Sequence, residues 1–160
     1  MNYCKASYKD LEKIWNKDIE ENKDDKRYIK WKDEFIEANK NGDIVTFVAK
    51  DEDQPIGQIT LVLNKDCLKV SCRDKLCDGE TCANFSTFRI DKKYENQGHI
   101  STLVRLAEDY ARKIGIKCIT IGAEAKESRT LAIYLHLGFC EFVTSFYDSG
   151  DLILYYKKYL

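Results

Sequence analysis

A chain of 160 residues has the length of one domain with one sizeable core. Apolar residues make up 44% and charged residues 33%, which excludes a disordered chain. The 26 basic residues against 27 acidic ones give a formal charge of -1, so the basic excess that grips nucleic-acid phosphates is missing and no nucleic-acid partner is expected. No apolar run approaches the ~20 residues that span a bilayer, and Met1 to Ser7 lacks the apolar centre of a signal peptide. A cytoplasmic protein with no membrane partner is therefore expected, its seven cysteines mostly free thiols.

Taken in chain order, Ser7-Tyr8-Lys9-Asp10 fits a helix capping box, and Leu11, Ile14, Trp15 and Ile19 recur behind it at helical spacing. A second helix carries Tyr28, Trp31, Phe35 and Ala38 on one side and stops near Asn41-Gly42. Ile44 to Ala49 and Ile56 to Leu63 then read as strands about the polar turn Asp51 to Pro55. Asn64 to Cys82 is polar and irregular, longer than a usual hairpin loop, and Asn84 to Ile90 is the next strand. After the polar stretch Asp91 to Gly98, a helix through Leu103, Ala107, Tyr110, Ala111 and Ile114 ends at Gly115. Lys117 to Ile121 is a strand, and Thr130 to Leu137 is a short helix closed by Gly138. Glu141 to Phe146 and Leu152 to Tyr156 form a hairpin about Asp148-Ser149-Gly150. The order β-α-α-β-β-β-α-β-α-β-β implies an α/β or α+β domain built on one main sheet, and without a linker or repeat residues 1–160 read as one domain.

Two stretches carry chemistry. Phe88-Arg89-Ile90 ends a strand, and Tyr94 to Ser101 leads through Gly98 into a helix, which brings unpaired backbone N–H groups to a positive dipole end suited to a pyrophosphate. Taken alone, such a segment is also an ordinary strand–loop–helix connection. The second stretch runs from Glu127 to Phe139, and here the chain resembles the GNAT acetyltransferase superfamily. Members carry Asn-x-x-Ala-x-x-Leu-Tyr-x-x-x-Gly-Phe at this place, and Tyr134, Gly138 and Phe139 match, with Ile133 for leucine. The spacing back to the glycine turn is also the family's. The sequence departs from the family where Glu95 takes an arginine or glutamine slot, Ile100 a glycine slot, and Glu127 and Thr130 the asparagine and alanine slots. Either Lys92 or Lys93 offsets Glu95, or Glu95 points to solvent.

The resemblance implies a GNAT fold, a single mixed, mostly antiparallel central sheet flanked by helices. It also implies acetyl-CoA as co-substrate, direct transfer to a primary amine in a ternary complex, and no metal. Phe88, Arg89 and Ile90 would pair with the pantetheine arm, Asn96, Gln97, Gly98, His99, Ile100 and Ser101 would cradle the pyrophosphate, and Tyr134 would protonate the leaving thiolate. Glu124, ending the strand before the Tyr134 helix, is the candidate base that frees the amine lone pair. His99 and His136 read as surface residues.

The acceptor is expected to be a small-molecule or peptide amine, entering by family analogy between the first two helices and the loop joining the last strands. Carboxylates at Asp18, Glu20, Glu21, Asp24, Asp25, Asp148 and Asp151 would favour a cationic amine there, unless they form a solvated face. A homodimer is open by the same analogy. Two alternatives remain beside the enzyme: a non-catalytic acyl-CoA sensor, and a zinc-stabilised interaction domain built on the evenly spaced Cys67, Cys72, Cys77 and Cys82. That run lacks a Cys-x2-Cys knuckle and reads first as free thiols outside the chemistry, since direct transfer needs no acyl-enzyme.

Overall fold

The computed structural model describes residues 1–66 and 73–160. Strand β1 (Asn2–Lys5) leads into helices α1 (Tyr8–Glu21) and α2 (Arg27–Asn41), followed by β2 (Ile44–Asp51) and β3 (Gln54–Val62). A single helical turn, α3 (Arg73–Leu76), precedes β4 (Cys82–Ile90), and a 3-10 turn (Lys92–Tyr94) precedes α4 (His99–Lys113). The chain ends with β5 (Cys118–Glu124), α5 (Ser128–His136), β6 (Glu141–Asp148) and β7 (Asp151–Tyr159). Hydrogen bonding orders the strands β1-β2-β3-β4-β5-β7-β6. The β1–β2, β5–β7 and β6–β7 pairs are antiparallel and β4–β5 is parallel, so the expected mixed, mostly antiparallel sheet is present. Among the described residues the element order predicted from periodicity holds, with α3 and the 3-10 turn added to it.

The chain falls into two compact units, residues 1–60 with 87–107 and residues 61–86 with 108–160. In the first, Ser7 caps α1: its Oγ accepts from the Asp10 N–H at 3.3 Å, and Asp10 Oδ2 accepts from the Ser7 N–H at 2.9 Å. Burial alone would raise the Asp10 carboxyl, but the bonds from Ser7 and the Lys50 ammonium at 3.3 Å hold it below its ordinary value. Leu11, Ile14 and Trp15 are buried as their spacing predicts, and Trp15 meets Phe35 of α2 edge-on at 5.2 Å. On α2 the predicted apolar side is narrower than expected. Phe35 and Ala38 are buried, whereas Trp31 is exposed, with the Arg27 guanidinium over its ring.

Three threonine hydroxyls link β2, β3 and β4: Thr46 Oγ1 lies 2.9 Å from Thr60 Oγ1, and Thr87 Oγ1 donates to Thr60 Oγ1 at 2.6 Å. Thr87 has φ 46°, a left-handed conformation that a β-branched residue rarely adopts.

In the second unit, β4 pairs with β5 from Cys82↔Cys118 to Phe85↔Ile121. Asn84 donates to Thr120 Oγ1 at 2.8 Å, and that hydroxyl donates to the Leu76 carbonyl at 2.6 Å, which holds α3 to the strands. Cys67 and Cys72 lie outside the described residues. Cys77 and Cys82 are buried thiols that donate weakly to the carbonyls of Leu63 and Leu76, so both act as small core residues. Burial, with the adjacent Cys118 thiol, pushes the Cys82 thiol up.

Helix α5 ends in a Schellman motif. Gly138 (φ 95°) donates to the Leu135 carbonyl at 3.0 Å, and Phe139 donates to the Tyr134 carbonyl at 3.0 Å. This turn drives Phe139 fully into the core, edge-on to Tyr134 and 6.0 Å from Phe85. The buried Glu108 carboxylate is met by Lys158 of β7 at 2.6 Å.

Asp78 organises the entry to β4. Its Oδ1 accepts from the N–H groups of Glu80, Thr81 and Cys82 at 2.8 Å each, and Oδ2 accepts from the Thr81 hydroxyl at 2.7 Å. Burial alone would raise this carboxyl, but these bonds outweigh it and hold it well below the usual carboxylate range. A depressed folded-state pKa gives stability that is present above the unfolded value of ~3.9 and is lost as pH falls. Asp78→Ala should therefore cost roughly 1 kcal/mol at pH 7, the solvent-screened value of a cap. In urea titrations the gap to wild type should narrow steadily from pH 4 downward; a constant gap to pH 2.5 would show that the carboxylate charge plays no part.

Candidate active site

The segment after β4 turns into the start of a helix. The 3-10 turn closes with Tyr94 N–H donating to the Asp91 carbonyl at 2.8 Å, and Asn96 (φ 60°) and Gly98 (φ 81°) then turn the chain through the left-handed region. A Cβ on Gly98 would meet nothing within 4 Å, so conformation rather than crowding favours glycine there. Helix α4 starts at once: Thr102 N–H donates to the Gly98 carbonyl at 3.1 Å, and the N–H groups of His99, Ile100 and Ser101 head the helix before it. Asn96, Gln97 and Gly98 are exposed at the tip, and Ile100 and Ser101 are half-buried. Such a loop fits a pyrophosphate.

His99 corrects an expectation. It is 8% exposed rather than a surface residue. Its Nδ1 lies 2.6 Å from the Tyr3 hydroxyl, its ring meets Tyr94 edge-on at 6.0 Å, and Nε2 is buried without a partner. Tyr94 in turn donates to Asp51 at 2.6 Å, so the loop is anchored to β1 and β2 through aromatic side chains. Glu95 is half-buried, and the Lys93 ammonium sits 4.7 Å from the Tyr94 ring centre. His136, by contrast, is exposed as expected.

Beside this loop, α1, the start of β3, the end of β4 and residues 91–93 enclose a cavity of about 500 Å³. On one wall Arg89 Nη2 donates to Asp18 Oδ2 at 2.5 Å. In the amide orientation the network requires, Gln58 Oε1 accepts from Arg89 Nη2 and Nε at 3.0 Å each. Asp18 and Gln58 are 6% and 4% exposed. Lys17 pairs with Asp91 at 2.7 Å. Four of the seven carboxylates expected to draw a cationic amine are paired: Asp18 with Arg89, Glu20 with Lys23, Asp25 with Arg27 and Asp151 with Lys126. Sequence reasoning took Asp18 for a surface carboxylate and passed over Gln58; their four-residue and two-residue spacing from apolar neighbours on α1 and β3 was the available signal.

Phe88, Arg89 and Ile90 lie in the first unit with the loop, while Tyr134 and Glu124 belong to the second. Tyr134 is buried on α5, and that burial pushes its phenol up to about 12, so it is protonated across the neutral range. Glu124, half-buried at the end of β5, accepts from Lys126 at 3.1 Å, and Lys126 is shared with Asp151 at 2.5 Å. Among the described residues no group of His, Cys, Asp and Glu is arranged to hold a metal ion, and no helix is long and apolar enough to cross a membrane.

A strand, a left-handed turn and a helix start on a mixed sheet are followed by a tyrosine helix closed by Gly-Phe. The Acetyltransferase (GNAT) family matches residues 8–139, and the chain belongs to it. It is an enzyme of the acetyltransferase type. Three solved structures share the fold. A spermidine N-acetyltransferase chimera from Vibrio cholerae and hSSAT has TM-score 0.73 at 17% identity, covering 99% of this chain and 96% of its own. A ribosomal-protein-alanine N-acetyltransferase from Brucella melitensis has TM-score 0.71 at 16% identity, covering 100% of both chains. The paia N-acetyltransferase from Thermoplasma acidophilum, in complex with coenzyme A, has TM-score 0.66 at 19% identity, covering 99% and 98%. No curated protein is matched by sequence.

The Asp18–Arg89 pair makes a stability prediction. Arg89→Met strands a buried carboxylate and should cost about 2 kcal/mol, below the 3–5 of fully buried pairs because Arg89 is partly exposed. Adding Asp18→Asn should recover about half of that in a urea double-mutant cycle. Additive effects of the two substitutions would remove the coupling.

Proposed function

We propose that residues 1–160 form one N-acetyltransferase domain that moves an acetyl group from acetyl-CoA to a primary amine in a ternary complex. The observation that carries this reading is the left-handed Gly98 turn delivering β4 directly into the N-terminus of α4. The family match supports it further, since residues 8–139 include Phe88 to Ser101, Glu124 and Tyr134. Cys4, Cys82, Cys118 and Cys140 are free thiols, which supports the cytoplasm as its compartment.

Bound acetyl-CoA would supply the activated acetyl thioester. Phe88, Arg89 and Ile90 would align the pantetheine arm along β4, and the loop from Asn96 to Ser101 would hold the pyrophosphate through its backbone N–H groups and the α4 dipole. Within the second unit, Tyr134 holds a proton that its raised pKa keeps in place until the leaving sulfur takes it. Glu124 would take the proton of the attacking amine, directly or through water. Acceptors named for the solved neighbours, such as spermidine and a ribosomal-protein alanine, make an amine the class to screen.

The test is coenzyme A thiol release against a panel of amines. Tyr134→Phe should lower kcat about 10²- to 10⁴-fold and leave acetyl-CoA Kd nearly unchanged, because the phenol acts chiefly in the transition state. Full kcat in a folded Tyr134→Phe protein with chemistry rate-limiting would remove Tyr134 from the mechanism. Glu124→Gln should lower kcat/KM about 10²-fold at pH 7 and recover part of the loss at high pH, where the amine is already neutral. With Tyr134 raised to about 12, the wild-type rate should rise with pH and show no fall below pH 10. Tight acetyl-CoA binding with no turnover on any amine would favour a sensor instead.

A further inference from the structure

The cavity beside β4 has a charge pattern that the acetyl-transfer chemistry alone does not require. Its lining carries five cationic side chains, Lys13, Lys17, Arg89, Lys92 and Lys93, against three acidic ones, Asp18, Glu21 and Asp91, an excess of two positive charges. Two of the acids are already consumed, Asp18 by Arg89 and Asp91 by Lys17. Lys13 donates to the Asp53 backbone carbonyl at 2.6 Å.

Arg89 is the built element of this wall. The buried Asp18 and Gln58 hold its Nε and Nη2, and none of these bonds falls on Nη1. The side chain is 47% exposed, so the guanidinium is fixed from behind and open in front. A guanidinium fixed in this way is preorganised to receive a second oxyanion, because little rotamer freedom is left to lose. The same wall repels polycations.

We propose that this cavity recognises a carboxylate on the acceptor, with Arg89 receiving it, so that the amine acetylated belongs to an amino acid or to an acidic peptide rather than to a polyamine. This rests on the acetyltransferase reading for its consequence but not for its binding step. The ion pair to Asp18 orients Arg89, and Lys92 and Lys13 add attraction at longer range.

Binding of free glutamate, of an N-terminal acidic tripeptide, of their carboxamide counterparts and of spermidine is measured by calorimetry on the protein without cofactor, and the same panel is run for coenzyme A thiol release. The carboxylates should bind about 10- to 100-fold more tightly than the carboxamides, the range of a charge-assisted hydrogen bond, with the larger of the free and peptide affinities identifying the source. Arg89→Lys keeps the charge but loses the fork, and Asp18→Asn with Arg89→Gln leaves no stranded carboxylate; both should erase the preference. Equal or better use of spermidine or the carboxamides overturns the proposal, as does a preference that survives both variants, or no carboxylate binding at millimolar concentration. Arg89-dependent binding with no thiol release on any amine would keep the carboxylate site and sink the acetyltransferase reading; thiol release confined to amines without a carboxylate would do the reverse.

Discussion

The left-handed backbone of Thr87 is the constraint on which the rest of the site depends. A threonine at φ 46° costs about 1–2 kcal/mol relative to ordinary strand geometry. The hydroxyl chain through Thr60 to Thr46 ties that residue to two further strands and offsets the strain. Thr60 and Thr46 are fully buried, where an unpaired hydroxyl would be costly, so each bond in the chain also satisfies its neighbour. The register of β4 with β5 ends at Phe85, two residues before the bend, and Phe88, Arg89 and Ile90 follow it. The distortion thus marks the point along β4 where the register with β5 has ended.

The fold was legible in the sequence because its local signals agree. Ser7 and Asp10 announce α1, Asn41-Gly42 and Gly115 announce helix ends, and Asp148-Ser149-Gly150 announces the last hairpin. Strand limits moved by one to three residues, as for β3, which begins at Gln54 rather than Ile56. Exposed edges of strands carry no burial signal to fix them. The Tyr134…Gly138-Phe139 signature has a local physical cause, since a Schellman turn needs the left-handed glycine and buries the residue after it.

Less of the site could be read, for reasons that are tertiary. Thr87 looks like any strand threonine, because a β-branched residue is what a regular strand would use. His99 looked like a loop histidine, and only the approach of Tyr3, 96 residues away, makes it a buried anchor. Helical spacing puts Trp31 on the same side as Phe35, yet its ring is exposed, with the Arg27 guanidinium over it. In each case the sequence states the residue's chemistry and leaves its partner unnamed.

The same holds for charge. A net of -1 conceals three acids that are nearly fully buried, each met by a cation from a strand: Asp10 by Lys50, Asp18 by Arg89 and Glu108 by Lys158. Buried pairs of this kind add little net stability over apolar residues of similar volume, but breaking one is expensive. Their effect is therefore on geometry: each fixes a helix against a strand at one position, and a slipped register would strand a carboxylate. At Asp18 that geometric role has a chemical consequence, because the cation it fixes is the one that faces the cavity. A carboxylate that looked available to attract an amine is instead the group that holds an arginine in place, and the sign of the site's field follows from the partner rather than from the count of acidic residues.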